Sequence, residues 1–393
     1  NGNPMSNSSK ADSSSSKKNK PTVLFLVAEA KYFLSHRLSL AQSVKEEGYD
    51  VIVATNDSSK LRFLQGRFKI IEIPFIRSLG GIREELRIIF ELRECIRKNR
   101  PAIVHAVSLK IAILAALCMW RARGSVLLCA FTGLGHLFTS SKVKTKLLRV
   151  TVQLTLRVLL SNQRYWSVVQ NKEDLELMRR VRGGDPTRLL MVPGSGVNID
   201  FFPYSEIPKK KKYKVLFPAR LLVDKGILEF VEAARSIISR RSNVEFVIAG
   251  GLDPSNPSAI AQSEVESWIE EGIIDWVGEV QDMRPLYQGS TIVCLPSYRE
   301  GLPKSLLEAA SSGRPLVAAN VPGCREICRS GENGLLVPVK DSITLALTLE
   351  ALLGDLELCE RLGQHGRKIV ESEFSERRIN NLFLDLYKQM NVG

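Results

Sequence analysis

The sequence predicts an α/β fold built from two doubly wound parallel-sheet domains. Three observations predict it. Short apolar runs of strand length alternate with helix-length stretches from Thr22 onward, which implies parallel strands joined by crossover helices. The alternation runs twice, with a break at Asn198 to Lys212 marked by Phe202-Pro203, Pro208 and the run Lys209 to Lys212. The length of 393 residues, 44% of them hydrophobic, suits two cores. The expected division is a disordered tail over 1–20, a first domain over 21–200, a linker over 201–212 and a second domain over 213–393. The last helix of the second domain is free to pack back on the first.

Residues 1–20 are Ser, Asn and Lys with almost no apolar content, too little to bury, so they are expected to be disordered. Asn1 to Pro4 are set aside as a vector remnant. The run Val23 to Ala28 is too short for a signal-peptide core, and Glu29 and Lys31 follow it. The longest apolar candidate, Ile111 to Trp120, is half of the roughly 20 residues a membrane span needs. A cytoplasmic-side protein without a spanning helix is expected.

Strands are predicted at Thr22–Val27, Asp50–Thr55, Lys69–Ile73, Ala102–Val107, Ser125–Phe131, Tyr165–Val169 and Leu189–Val192. Helices fall between them, near Ser35–Gly48 and Ile82–Asn99. The second series is Tyr213–Ala219, Val244–Gly250, Ile273–Val277, Thr291–Leu295, Leu316–Ala319 and Leu335–Pro338. Residues 141–160 alternate as a strand would, yet Lys142, Lys146, Arg149, Gln153 and Arg157 recur at helical spacing. With Thr139-Ser140-Ser141 as caps and a length beyond ordinary strands, helix is the reading. It has a wide apolar face and a basic stripe, as an interfacial helix or a solvated face over a large core would.

Charge is unevenly divided. Residues 1–205 hold 32 Lys+Arg against 16 Asp+Glu, a net of +16, which leaves −3 for the remainder. Between Glu94 and Glu173 there are 13 basic residues and no acidic one. The first domain therefore needs an anionic partner. The seven cysteines sit mostly in apolar runs without a C-x2-C pair, so they read as reduced core residues, and no metal site is expected.

The chemistry concentrates in Ile292 to Ala319, which reads as strand, loop, helix and strand, with Pro303 opening the helix and Gly313 ending it. Glu300 lies in the loop and Glu308 two turns along the helix. The helix start at Gly301, Leu302, Pro303 and Lys304 offers free amides to an anion. About 75 residues upstream, Arg220 and Lys225-Gly226 follow another strand, an Arg fork and a Lys point charge suited to a diphosphate.

This pairing, R-x4-K-G followed by S-x-x-E-G-x-P-x-x-x-L-E-A, resembles the retaining glycosyltransferases of family 4, which have the GT-B fold: two Rossmann-like domains facing each other across a cleft. The resemblance implies that Arg220 and Lys225 bind the donor diphosphate and that Glu308 accepts the ribose hydroxyls. It places Glu300 near the donor sugar, beside the amides of Gly301 to Lys304. Gly250 and Gly251 permit close backbone approach, and Gly278 and Glu279 resemble the segment that reads the base. The first domain lacks the family's glycine-rich loop after its first strand. It has Lys31-Tyr-Phe-Leu-Ser35-His36-Arg37 instead, resembling a bacterial subgroup. A helix N-terminus near Ser35 would offer amides to phosphate, with His36 a ligand contact or a helix-start residue. Phe131 to His136 resembles that subgroup's acceptor loop and contributes Gly133, Gly135 and His136. His105 is a buried polar residue or, with Lys110, an edge of the acceptor site. Ser195 falls in a segment resembling the interdomain connection.

Similar proteins build bacterial glycans on a polyprenyl diphosphate, often from UDP-N-acetylhexosamines. The implied function is transfer from a UDP-sugar, without metal or other cofactor, to such an acceptor. The enzyme would sit on the inner face of the cytoplasmic membrane through Lys142, Lys146, Arg149 and Arg157. A GT-B nucleotide-sugar epimerase is the alternative enzyme, opposed by the cation and carboxylate pairing. A nucleic-acid binder is suggested by charge alone, and no aromatic clusters support it.

Overall fold

A computed structural model of the chain describes residues 20–76, 81–120, 124–134, 143–181, 183–209 and 211–390, with the side chains of 143–149 left aside. The expectations about residues 1–19, including Asn1 to Pro4, lie outside that range. The first sheet holds β1 (Thr22–Leu26), β2 (Asp50–Thr55), β3 (Lys69–Glu72), β4 (Ile103–Val107), β5 (Val126–Ala130), β6 (Tyr165–Val169) and β7 (Leu189–Met191). Its order is β3-β2-β1-β4-β5-β6-β7. The second holds β8 (Tyr213–Phe217), β9 (Val244–Ile248), β10 (Asp275–Trp276), β11 (Ile292–Leu295), β12 (Leu316–Ala319) and β13 (Gly334–Val337), in the order β10-β9-β8-β11-β12-β13.

Among the described residues every pairing between these strands is parallel. Helices cover both faces, which is why β4 and β11 are buried along their whole length rather than alternating, with His105 in β4 the polar exception. Strand order reverses between β1 and β4 in one sheet and between β8 and β11 in the other. Such reversals open a crevice at the carboxyl ends of the strands, where doubly wound sheets hold ligands.

The helix expected at Ser35–Gly48 is instead two, Ala30–His36 and Leu38–Glu46, broken at Arg37. Arg37 is buried, with its guanidinium over the Phe383 ring and Nη1 donating to the His36 carbonyl. Burying that side chain turns the backbone out of helix. Ser35 therefore lies in the last turn of a helix rather than at an N-terminus, and it presents no free amides to phosphate.

The terminal helix Glu376–Met390 joins the first domain's core, with Ile379, Phe383 and Tyr387 packed among Phe25, Val53 and Val107. His105 is fully buried there. Its ring stacks on Phe25 at 5.1 Å, and Nδ1 meets the Tyr387 hydroxyl. Burial, then the nearby Arg37, hold it neutral by pushing its pKa well below the usual value. Of the two readings for His105, the acceptor edge is excluded, because the residue is core.

Residues 143–159 form one helix, with Leu156 and Leu159 buried and Val150, Leu154, Arg157 and Val158 exposed. Among the described residues no helix is long and apolar enough to cross a membrane. All seven cysteines are free, and all but Cys118 are buried.

Candidate active site

The loops leaving β8 and β11 are stitched together at the second reversal point. Tyr298 N–H and Ser297 Oγ both donate to the Asp224 carbonyl, at 2.9 and 3.1 Å. Gly226, in the left-handed region at φ 76°, lets them meet, since a Cβ there would stand 2.1 Å from the Pro296 carbonyl oxygen. The nesting brings two cations to one place. Lys225 Nζ donates to Glu300 Oε1 at 2.6 Å, with the carboxylate only 10% exposed. Arg220 pairs with Asp253. Each cation is thus held in position by a carboxylate.

The next helix runs Lys304–Ser311, with Pro303 at its N-cap instead of its first turn and Gly313 beyond its end at φ 79°. Glu308, one face along, receives a 3.0 Å hydrogen bond from Tyr287 Oη. Burial raises its pKa, opposed by Lys304 and by the tyrosine hydroxyl.

Gly301 is where the two domains touch. A Cβ on it would lie 2.1 Å from the Thr132 carbonyl oxygen, and Asn171 Nδ2 donates to its own carbonyl at 3.0 Å. Lys304 reaches the Ser35 carbonyl, and Lys31 pairs with Glu279. Lys172 N–H meets Glu326 at 3.0 Å, and Arg325 pairs with Glu173. A cleft of about 460 Å³ remains between the domains. Arg220, Lys225 and Glu300 to Ser305 line one wall, and Tyr32, His36, Thr132, Gln170 and Ser195 the other.

The structure thus gathers Arg220, Lys225, Glu300, Gly301, Leu302, Pro303, Lys304, His36 and Ser195 around one space. His36 stacks on Tyr32 at 4.2 Å with the rings nearly parallel. Its pKa is pushed down to about 3, by burial first and then by Lys304 and Arg37. It is a neutral polar wall of the cleft at physiological pH.

Gly250 and Gly251, after β9, and Gly278 and Glu279, after β10, lie on two segments that meet beside the cleft. Gly250 N–H donates to the Gly278 carbonyl at 2.8 Å, and a Cβ on Gly250 would stand 1.8 Å from the Ala219 carbonyl oxygen. The close approach that Gly250 permits is to the chain beside Arg220. Lys110 does not line the cleft; it pairs with Glu85 and donates to the Ile76 carbonyl at 3.0 Å. Gly133 sits against Gly301. Gly135, His136 and Lys142 lie outside the described residues, as do the side chains of Lys146 and Arg149. Sequence reasoning missed Tyr32, Asp253 and Tyr287. Nothing local marks them; a chain separation of 33 residues hides the Arg220–Asp253 pair.

Two doubly wound domains, with cations and carboxylates at one reversal point and a shared cleft, define a GT-B glycosyltransferase. Residues 212–355 match the family model for glycosyl transferases group 1, and residues 22–163 match the one for glycosyl transferase 4-like domains. The chain belongs to this family of group 1, family-4-like glycosyltransferases. It is 28% identical to EpsD of Bacillus subtilis over 93% of this chain and 96% of that protein. It is 26% identical to the N,N'-diacetylbacillosaminyl-diphospho-undecaprenol alpha-1,3-N-acetylgalactosaminyltransferase of Campylobacter jejuni, over 91% and 98%. It is 24% identical to the UDP-Gal:alpha-D-GlcNAc-diphosphoundecaprenol alpha-1,3-galactosyltransferase of Escherichia coli, over 88% and 91%. Among solved structures, sucrose-phosphate synthase from Thermosynechococcus elongatus superposes with a TM-score of 0.76 over 94% of this chain and 99% of that one, at 18% identity. Anabaena HepE in complex with UDP and glucose gives 0.73 over 93% and 99%, at 17% identity.

Proposed function

We propose that the chain transfers a sugar, an N-acetylhexosamine or a related hexose, from a UDP-sugar to a polyprenyl-diphosphate-linked saccharide in bacterial glycan assembly, with retention of configuration. The observation that carries this is the convergence of Arg220 and Lys225 with Glu300 and the Gly301–Lys304 backbone on one wall of an interdomain cleft. A diphosphate leaving group needs charge balance more than strong protonation. The two cations supply it at a fixed place, so catalysis is mainly electrostatic and positional. The amides that open the Lys304–Ser311 helix add their dipoles at the same point. Glu308, held by Tyr287, would accept the donor's ribose hydroxyls. On the retaining route, the departing phosphate oxygen takes the acceptor hydroxyl's proton on the face where the new bond forms.

Both undecaprenyl-diphosphate relatives, matched over nearly their whole length, support the lipid-linked acceptor. The first domain's surface supports a membrane partner. Ile82, Leu86 and Phe90 on one helix and Val150, Leu154 and Val158 on another are exposed at four-residue spacing. Arg157 lies one residue round from Val158, and the region is rich in Lys and Arg. An apolar stripe flanked by cations suits an anionic lipid surface. A thermal-shift screen of UDP-sugars ranks donors: a ligand at 100 times its Kd stabilises by about 2.7 kcal/mol. Proton NMR of the product then reads the anomeric configuration. An inverted product sinks the retaining mechanism, and activity lost to EDTA and restored by Mn²⁺ sinks the metal-free one.

A further inference from the structure

Three contacts between the domains meet at the start of one first-domain helix, Lys172–Val181. Asn171, buried just before that helix, donates from Nδ2 to the Gly301 carbonyl at 3.0 Å. The Lys172 N–H, one of the amides a helix start leaves free, donates to Glu326 Oε1 at 3.0 Å. Glu173, in the first turn, pairs with Arg325.

Arg325 and Glu326 belong to a short second-domain helix, Pro322–Ile327, which also touches the loop after β11. A Cβ on Gly323 would stand 2.4 Å from the Gly301 carbonyl oxygen and 2.6 Å from that of Glu300. Backbones packed that closely shift together. Cys324 follows, fully buried, and its pKa is pushed up by burial first and then by Glu300, which lies nearby. Arg325 is braced from behind, its Nη1 donating to the Asn320 carbonyl at 3.0 Å and to Asn320 Oδ1 at 2.8 Å.

These contacts close a triangle. Its corners are the start of Lys172–Val181, the helix Pro322–Ile327 and the Glu300–Gly301 loop, and each corner touches the other two. Glu300 in turn holds Lys225 at 2.6 Å. A shift of one domain against the other therefore reaches the Lys225–Glu300 pair by two routes, through Asn171 and through Arg325 with Glu326. Arg325 and Glu173 are 39% and 49% exposed, and an ion pair so exposed adds little to stability. Its leverage is on position, where an error of about 1 Å can slow a reaction about a hundred-fold.

We propose that Arg325, Glu326 and Glu173 are positioning residues, which set the Glu300–Gly301 loop, and with it Lys225, as the first domain docks. None of the three lines the cleft. The proposal rests on the transferase reading above and deepens it.

The test uses the full chain with three donors, UDP-N-acetylglucosamine, UDP-N-acetylgalactosamine and UDP-galactose, and farnesyl-diphosphate-linked N-acetylglucosamine as acceptor. Hydrogen exchange over residues 299–307, read by mass spectrometry, follows the loop without needing turnover. Arg325→Glu sets two carboxylates against each other. It should lower kcat at least about ten-fold and speed exchange over 299–307, with the Kd for UDP unchanged. Glu326→Ala should act in the same direction. Glu326→Gln, which keeps an acceptor for the Lys172 N–H, should cost less. The decisive variant exchanges the charges, Arg325→Glu with Glu173→Arg, and should recover most of the lost kcat and slow the loop's exchange again. A merely structural role would not give that coupling. Three results would overturn the assignment: kcat and exchange unmoved by Arg325→Glu and Glu326→Ala, a charge exchange no better than Arg325→Glu alone, or UDP affinity lost in step with kcat. Wild-type protein that binds no UDP and turns over none of the donors would instead overturn the transferase reading. The exchange rates would still decide whether the helix sets the loop.

Discussion

The two reversal points of this molecule have the same topology and opposite chemistry. Where β8 and β11 part, Arg220 and Lys225 face the cleft, each tied to a carboxylate. Where β1 and β4 part, the lining among the described residues is a glutamate, hydroxyls and apolar side chains. A doubly wound sheet supplies a crevice at such a point whatever its loops contain, and the loops decide what enters. Net charge misleads on this point. The first domain carries the positive excess, yet no cation among the described residues lines its pocket, while the near-neutral second domain concentrates two cations at one spot. Bulk charge describes what the surface meets, and local pairs describe what the site binds.

The sharpest way to break this contrast is to remove the cations. Arg220→Ala is expected to lower kcat by about 10²–10³-fold, as loss of a preorganised charge partner does, with thermal unfolding little changed because the side chain is 42% exposed. Lys225→Ala should match it in rate but also lose stability, since Glu300 would be left nearly buried and unpaired. Unaltered turnover in both variants, measured with a saturating UDP-sugar, removes the donor assignment.

Next in size is the first domain's outer surface. Neutralising Lys142, Lys146, Arg149 and Arg157 together should weaken binding to anionic liposomes by as much as about a thousand-fold, at about 1 kcal/mol per charge. Turnover of a long-chain lipid acceptor should fall with it, while a short soluble acceptor is spared. Equal losses on both acceptors would move the stripe from the membrane to the fold.

Glu308→Gln should raise the Kd for UDP-sugars about ten-fold, by weakening the hydrogen bonds that a charged acceptor makes. Tyr287→Phe tests the support beneath it and should cost less. An identical Kd for a ribose-bearing and a 2'-deoxyribose-bearing donor would exclude the assigned role.

The smallest effect concerns pH. His36 takes a proton in the folded chain only at about pH 3, against about 6.5 when unfolded. Between those values the unfolded state holds more protons. The stability this neutral histidine contributes is therefore fully present above pH 6.5 and is lost as pH falls toward 3. His105 shifts in the same direction, so the measurement is a difference: His36→Gln should flatten the decline in Tm with acidity without abolishing it. A slope equal to that of the wild type would mean that His36 is not held neutral.

Much of this was legible from residue types alone. All thirteen strands sit within a few residues of their predicted places, because a strand covered on both faces must be a short apolar run and its ends are punctuated by Gly, Pro and Ser. Arg220, Lys225, Glu300 and Glu308 stood out because the cations follow β8, the carboxylates follow β11, and the chain direction of a parallel sheet sends both loops to one end. The helix over 143–159 followed from spacing, although alternating valines and leucines argued for a strand.

Other features belong to tertiary structure. Arg37 breaks a helix whose local pattern is continuous, because its guanidinium is drawn under Phe383 from the far end of the chain. His105 reads either as a buried polar residue or as an acceptor edge, and packing decides for the core, because Tyr387 closes over it. Gly301 reads as a helix-start glycine, and only the approach of Thr132 from the other domain shows that nothing larger fits. Sequence by itself determined the strands, the two sheets and the loops that carry charge, since each depends on neighbours a few residues apart. Which loops share a cleft, which histidine is buried and which cation meets which carboxylate were decided by packing, since those partners lie 33 to 346 residues apart along the chain.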